Sequence, residues 1–442
     1  MRIPSSVPMP KEVPIEQEIV AYVGLDWADQ QHVICWQAAD SAAVQSAVVQ
    51  QRPEELQAWV AELRQRFPQG LVAIALEQSR GAVIAALMHF DFLRLYPINP
   101  KSLARYREAF ASSGAKDDPD DAALLLELLV KHRDRLTPWV PDDALSRELA
   151  LRVEHRRQLV NLQTKLIQQL RSHLKVYFPQ ALDWVGELDS LQACDFLQRW
   201  PTLAAVQKAR PSQLEKFYHQ HHCRRPQLIQ QRLEQIRQAQ PLTQDTAIVP
   251  AYSQMVLALV AQLRVLIPTL QQWQQQISQL FAQHPDAALF ASFPTAGPVF
   301  APRLQAAFGS RRDRFGSAAE VLQFSGVAPV TKRSGKSRQV QRRWARPKFL
   351  HQSFVEFTGL SIPHCCWARA LYQQLRARGH RHWAAIRVVA YKWIRILFRC
   401  WQDRVPYDEQ KYLKSLERRN PTLWAAIQQL PAQPSRKEVG RL

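Results

Sequence analysis

Acidic side chains stand at several positions where burial would need a reason. Asp26, in YVGLDWAD, comes late in an apolar run, and Glu77 ends the apolar run LVAIAL. An ionised carboxylate is costly to bury unless it is paired or binds a cation, so each acid either reaches solvent or an arginine at a strand end, or belongs to a site. A third group lies in AKDDPDDAALLLELL, where Pro119 suits the first turn of a helix and Asp118 can cap it. Asp118 and Asp121 are three residues apart and share a helical face, but Asp117 and Asp120 form a rival pair at the same spacing. Two strand acids with one such pair supply the all-oxygen ligands that Mg²⁺ prefers. Two ions about 3.5–4 Å apart can activate a nucleophile and stabilise the leaving oxygen of a phosphodiester. That is phosphoryl-transfer chemistry.

A hydroxyl offers the second candidate. Ser334, in VTKRSGKSRQ, is flanked by Lys332, Arg333, Lys336 and Arg338, and Gly335 lets the backbone approach a phosphate closely. Serine attacks poorly unless its proton is removed and the charge on the attacked group is neutralised; cations at this density can hold and polarise a phosphate. A basic loop that only grips nucleic-acid backbone would have the same composition, and Ser325 and Ser337 are nearby rivals. Arg342, Arg343 and Lys348 extend the stretch. Residues 311–350 hold eleven Lys and Arg against two acids, which makes this the place where a polyanion would bind.

The elements that must carry these residues follow from periodicity. Residues 18–26 read as a strand and 28–31 as a turn; further strands run through Trp36 and over 43–50, an antiparallel meander. A helix over 53–67, an apolar strand over 71–77, a helix over 80–90 and a strand over 93–99 come next, then helices over 101–110 and 121–132. Three strands followed by alternating helices and strands predict an α/β domain of ribonuclease-H type over 18–138, after a mobile leader at 1–17. Leu, Gln and Arg at helical spacing predict an all-α region over 139–284. Its helices at 145–174, 226–240 and 270–283 either form a coiled-coil arm or pack within the chain. Beyond Pro285, short helices joined by Gly and Pro turns predict a mainly helical domain over 285–410, ahead of a basic tail at 411–442. Between 369 and 404, Trp383, Tyr391, Trp393, Phe398 and Trp401 alternate with Arg and Lys, which suits either core packing or platforms for stacked bases.

Bulk composition narrows the function. A chain of 442 residues exceeds one ordinary domain, and 46% hydrophobic with 22% charged residues is the balance of a folded protein. A net charge of +20 points to a polyanionic partner. The apolar segment 255–270 is interrupted by Gln262 and Arg264, which disfavours a membrane span. The N-terminal MRIPSSVPMPKEVPIEQE lacks the apolar core of a signal peptide, so a cytoplasmic location is expected. Six cysteines in this length do not make a disulfide scaffold. YHQHHC at 218–223, and His364, Cys365 and Cys366, lack paired zinc-ligand spacing, and SGKS lacks the first glycine of a phosphate-binding loop.

Taken in order, these motifs resemble those of the DEDD transposases of bacterial insertion sequences, a family understood as bridge-RNA-guided recombinases; the resemblance covers most of the chain. GLDWAD is similar to the family's G-x-D strand and brings Asp26, and IALEQSRG is similar to its strand-ending Glu motif and brings Glu77. YPINPKSLARYREAFASSGAKDDPDDA resembles the stretch from an Asn-Pro to a K-x-D-x-x-D-A motif, where Lys116 sets the register and selects Asp118 and Asp121. SFPTAGPVFAPRLQAAFG resembles a helix-hairpin-helix-like segment, with Pro294-Thr295-Ala296-Gly297 for the usual P-G-I-G. FSGVAPVTKRSGKS resembles G-L-x-P followed after four residues by Ser-Gly, with Val327 for the leucine, and Ser334 falls on the family's nucleophilic serine. The family's basic Lys-x-Gly segment is RRWARPKFLHQ here, without the glycine.

The resemblance implies a RuvC-like domain whose Asp26, Glu77, Asp118 and Asp121 bind two Mg²⁺ ions, and a C-terminal transposase domain whose Ser334 attacks DNA to leave a protein–DNA phosphoester. It implies nucleic-acid contacts from Lys332, Arg333, Lys336, Arg338, Arg342, Arg343 and Lys348. The implied partners are donor and target DNA, a non-coding bridge RNA and further copies of the chain in a dimer or tetramer, at the bacterial nucleoid. Two other readings fit the residues: a structure-selective nuclease that cuts branched DNA with carboxylates alone, and a non-catalytic nucleic-acid-binding protein. Covalent attachment to DNA separates the first from the second, and metal-dependent cleavage separates both from the third.

Overall fold

The computed structural model describes residues 18–77, 80–110, 118–335 and 337–430, and the side chains of all of these but 110 and 118–120. The leader at 1–17 and the chain from 431 lie outside the described residues. Two compact units divide the chain, residues 1–141 and 142–442.

In the first unit β1 (Ile19–Asp26), β2 (Gln31–Ala38) and β3 (Gln45–Gln50) pair antiparallel. On the other side of β1, β4 (Leu71–Leu76) and β5 (Leu93–Pro97) add in parallel, giving the order β3-β2-β1-β4-β5. All six residues of β4 are buried, as a strand covered on both faces requires, which is why it reads as an unbroken apolar run. α1 (Pro53–Arg66) starts on a proline with Glu54 and Glu55 in its first turn and ends on Arg64 and Arg66, an arrangement that complements the helix dipole. Its Leu56, Trp59, Val60 and Leu63 recur at helical spacing and, with α2 (Ala82–Leu87), cover the sheet face of Ala21, Val23 and Leu25. α2 is shorter than the 80–90 expected from periodicity. α3 (Pro100–Phe110) precedes α4 (Asp118–His132), whose Ala122, Leu125, Leu126 and Leu129 cover the other face.

The second unit is built on two long helices, α5 (Ala144–Tyr177) and α11 (Ile248–Ala282). They lie antiparallel, His155 against Trp273 and His173 against Tyr252, so they pair within the chain. Between them in sequence come α6 (Ala181–Trp184), α7 (Leu191–Arg199), α8 (Leu203–Gln207), α9 (Pro211–Gln220) and α10 (Pro226–Gln238). Periodicity starts a helix after Pro268, at 270, yet α11 begins at Ile248 and runs through the proline. An interior proline costs about 3 kcal/mol; burial of Leu259, Val260, Leu263, Leu266, Ile267 and Leu270 along the same face offsets it. α11 is long and apolar enough to cross a membrane, but this stripe packs into the protein core.

A further core is formed by α12 (Ala287–Ala291), α13 (Gly297–Phe308), α14 (Ala318–Phe324), α15 (Lys348–Ser361), α16 (Cys366–Ala377) and α17 (His382–Asp403). Leu149 and Val153 of α5 and Ile277 and Phe281 of α11 belong to this core, whereas Leu166–Leu174 and Val256–Leu270 belong to the other. The long helices thus run through both, and the compact unit does not break at the 284–285 boundary that composition suggests. Where composition suggests a basic tail, α18 (Glu409–Arg419) and α19 (Pro421–Gln428) form and add Leu416 and Leu423 to the core. A hairpin of β6 (Val330–Ser334) and β7 (Ser337–Gln341) interrupts the helices.

Candidate functional site

Strand register sets two of the carboxylates beside each other. β1 and β4 pair Gly24 with Ala75 and Leu25 with Leu76, so Asp26 and Glu77, one residue further, close adjacent strands side by side. Alternation puts Tyr22, Gly24 and Asp26 on the face opposite the core side chains Val23 and Leu25. α4 covers that face. Gly24 permits it, because a Cβ there would collide with the Ala122 carbonyl oxygen and the Leu126 amide nitrogen. Asp121 precedes Ala122 in the first turn of α4. Asp121 is 2% exposed and accepts a hydrogen bond from the Arg107 guanidinium of α3.

Oxygen donors at two strand ends and one helix start fit a hard divalent cation by donor type. Among the described residues no three His, Cys, Asp or Glu are already grouped to hold one. Arg107 supplies the positive charge at Asp121 in this arrangement. Asp118 begins α4, but its side chain, those of Asp117 and Asp120, and Lys116 lie outside the described residues.

Ser334 is the last residue of β6 and pairs with Ser337 across a two-residue link, an exposed hairpin tip rather than a loop. Gly335 takes φ +54° there, a conformation glycine adopts without strain, and a Cβ would meet nothing. Sequence reading missed the hairpin because no apolar alternation marks it; the available signal was a glycine opening a two-residue link between polar segments. Lys332, Arg333 and Arg338 are exposed along it, with Arg333 directly opposite Arg338. Lys336 lies outside the described residues. Arg342 and Lys348 are exposed and Arg343 half-buried beyond the hairpin. Of the rivals, Ser325 is fully buried and donates to the Leu322 carbonyl, whereas Ser337 is exposed.

The aromatic residues of the second basic tract divide. Trp393 and Trp401 are fully buried, Trp401 donating to the Gly309 carbonyl, whereas Trp383 and Tyr391 are exposed. Trp344, missed in the sequence although it sits in RRWAR, is 77% exposed with the Arg342 guanidinium 4.9 Å from its ring centre. Burial, with Arg346, Arg342 and Arg387 nearby, pushes the His351 imidazole down to about 4.

Comparison with known proteins decides the family. Residues 23–179 match a transposase family model of the DEDD type, and residues 287–373 match the transposase family IS116/IS110/IS902, together more than half of the chain. The chain belongs to this transposase family. The transposase is 26% identical over 405 residues to the mini-circle putative transposase for IS117 of Streptomyces coelicolor, covering 90% of this chain and 97% of that protein. It is 26% identical over 304 residues to an IS110 insertion-element protein of the same organism (67% and 73% of the two chains). It is also 24% identical over 356 residues to an IS900 insertion-element protein of Mycobacterium paratuberculosis (76% and 83%). The first matched stretch of the transposase contains Asp26, Glu77, Asp118 and Asp121; the second contains Ser334 and the basic residues around it.

Proposed function

We propose that this transposase is a bridge-RNA-guided DNA recombinase that divides phosphoryl transfer between a ribonuclease-H-like, RuvC-like unit with its carboxylates and a nucleophilic serine. It acts on donor and target DNA as a homo-oligomer in the bacterial cytoplasm, at the nucleoid. The hairpin carries the reading. A two-stranded ribbon exposed on both faces, with two arginines opposed across it, gains little from folding alone; a polyanion relieves that repulsion, and Ser334 stands at its tip. The strand order, with Asp26 and Glu77 closing adjacent strands, supports the ribonuclease-H-like part.

When bound by Asp26, Glu77, Asp118 and Asp121, two Mg²⁺ ions supply charge neutralisation at a phosphate. Arg333 and Arg338 hold the scissile phosphate. The Ser334 Oγ bonds to phosphorus as one bridging P–O bond breaks, and the serine's proton passes, net, to the departing deoxyribose oxygen, which leaves as a hydroxyl. The phosphoserine conserves the energy of the broken bond for strand exchange. Lys332, Lys336, Arg342, Arg343 and Lys348 grip backbone, while base pairing with the RNA supplies sequence.

The test is mass spectrometry of denatured, protease-digested reactions. A nucleotide adduct on the peptide of Ser334, absent in Ser334→Ala, is the expected result. Recombination by Ser334→Ala at the wild-type rate, or an adduct on Ser337, overturns it.

A further inference from the structure

A cavity of about 340 Å³ opens between the base of the hairpin and α17. Val327 and Pro329 line it from one side, Val340 from β7, and Ala384, Val388 and Tyr391 from α17. Val340, Val388 and Tyr391 are 58%, 41% and 41% exposed, a cluster of large apolar groups left facing solvent at one place. Such clustering marks a binding surface, whereas single exposed apolar residues do not. The cavity's volume lies at the small end of ligand pockets, roughly 300–1,000 Å³, too small for a docked helix.

Its rim is cationic. Arg342, Arg343 and Arg387 line the opening, and no carboxylate is among the lining residues. The Nε of Arg343 is buried without a hydrogen-bond partner. Arg342 lowers the affinity of Arg387 and of nearby Arg346 for their protons, after the larger effect of burial, so these cations lie within each other's field. Apolar walls ringed by mutually repelling guanidinium groups suit a ligand that is flat and apolar at one end and anionic at the other. A nucleotide has that form: base faces stack on aromatic side chains, and phosphates take paired hydrogen bonds from arginine. Trp344, exposed beside Arg342, offers a second stacking surface at the rim.

We infer that this cavity receives one unpaired nucleotide, its base between the apolar walls and its phosphate on the arginine rim. The inference rests on the reading that the chain works on nucleic acid. The cavity borders the Val330–Gln341 end of the hairpin, and Ser334 lies four residues further along β6. At about 3.3 Å per residue that separation is roughly 13 Å. A base held in the cavity would fix how far the strand can slide past the serine, and so which phosphate is presented.

The full-length protein is titrated with a paired DNA duplex, the same duplex carrying one unpaired 5-iodouracil nucleotide, and a DNA–RNA hybrid with the unpaired nucleotide in the RNA strand. The wild type should bind at least one unpaired probe more tightly than its paired counterpart, and whichever is preferred tells whether DNA or RNA supplies the nucleotide. Ala384→Phe fills the cavity, and Arg387→Gln removes a rim cation without adding bulk. Each should abolish a preference of about five-fold, the lower end for one stacked base, with an unchanged melting profile and little change on paired duplex. Irradiation should join the iodouracil to the peptide containing Tyr391. Equal wild-type binding of paired and unpaired probes, equal weakening of both by Arg387→Gln, or a cross-link elsewhere overturns the proposal. Because these readouts need no catalysis, absence of a Ser334 adduct refutes the serine chemistry alone, and absence of all binding refutes the nucleic-acid reading itself.

Discussion

Gly24 of β1 and Ala122 of α4 meet backbone to backbone: a Cβ on Gly24 would sit 2.5 Å from the Leu126 amide nitrogen and closer still to the Ala122 carbonyl oxygen. This contact seats α4, which carries Asp121, on the strand that ends in Asp26. Gly24→Val should therefore destabilise the first unit by about 3 kcal/mol, the upper end for overpacking, because backbone atoms cannot rotate away. It should also abolish cleavage by displacing α4. A variant that melts and cleaves like the wild type would show that the contact is dispensable.

Arg107 and Asp121 form a pair in which the acid is 2% exposed and the arginine 20%. Removing Arg107 leaves a buried carboxylate without its cation, so Arg107→Met should cost roughly 3 kcal/mol in the presence of a chelator. If Asp121 is a metal ligand, Mg²⁺ should restore more stability to the variant than it adds to the wild type. Thermal melts with and without Mg²⁺ measure this, and equal shifts in the two proteins would remove Asp121 from the ligand set.

Asp26→Asn keeps the size of the side chain and removes its charge at the end of β1. Strand cleavage should be lost while nucleic-acid binding, which we propose rests on the basic residues of the second unit, stays within about two-fold of wild type. Gel-shift and cleavage assays on the same preparation separate the two, and Mg²⁺-dependent cleavage by the variant at the wild-type rate would count against the carboxylate site.

Arg333 and Arg338 oppose each other across the hairpin. Replacing both with Gln should lower the slope of log affinity against log salt by about 1.8 on duplex DNA, since each phosphate contact contributes about 0.9. The unbound hairpin should at the same time gain order, because like charges opposed in a ribbon are unfavourable. Titration at several salt concentrations reads the first effect and amide exchange the second; an unchanged slope would place the phosphates elsewhere.

His351 is held neutral by burial and by Arg346, Arg342 and Arg387, with its pKa pushed from 6.5 down to about 4. The unfolded chain takes up a proton there as pH falls below about 6.5, and the folded chain does not until about 4. Its contribution is thus fully present above 6.5 and is lost across that window, at up to about 1.4 kcal/mol per pH unit. Denaturant melts from pH 7 to 4 should show wild type losing stability faster than His351→Gln. Parallel curves would mean that the imidazole is not shielded.

Much of the architecture was legible in the residues alone. The strands of the first unit show their period, or in LVAIAL an unbroken apolar run, and α1 carries its proline, acids and arginines in the expected places. These signals are local, because a few consecutive residues encode a strand face or a helix stripe. Periodicity failed at Pro268, where a local breaker is overridden by a buried stripe spanning both sides of it, and at the β6–β7 ribbon, which has no buried face to create a pattern.

The sequence by itself determined which residue types are available for chemistry: acids after apolar runs, a serine among cations, and a charge balance that demands a polyanion. Only the tertiary structure decided which of them share a surface. Asp26 and Glu77 are neighbours through the parallel register of β1 and β4, and α4, which carries Asp121, packs on β1 through a glycine contact between residues nearly a hundred apart. The exposed aromatics Trp344, Trp383 and Tyr391 look like the buried Trp393 and Trp401 in any local window. Register and burial are set by the packing of distant elements against one another, and no window of neighbouring residues contains that information.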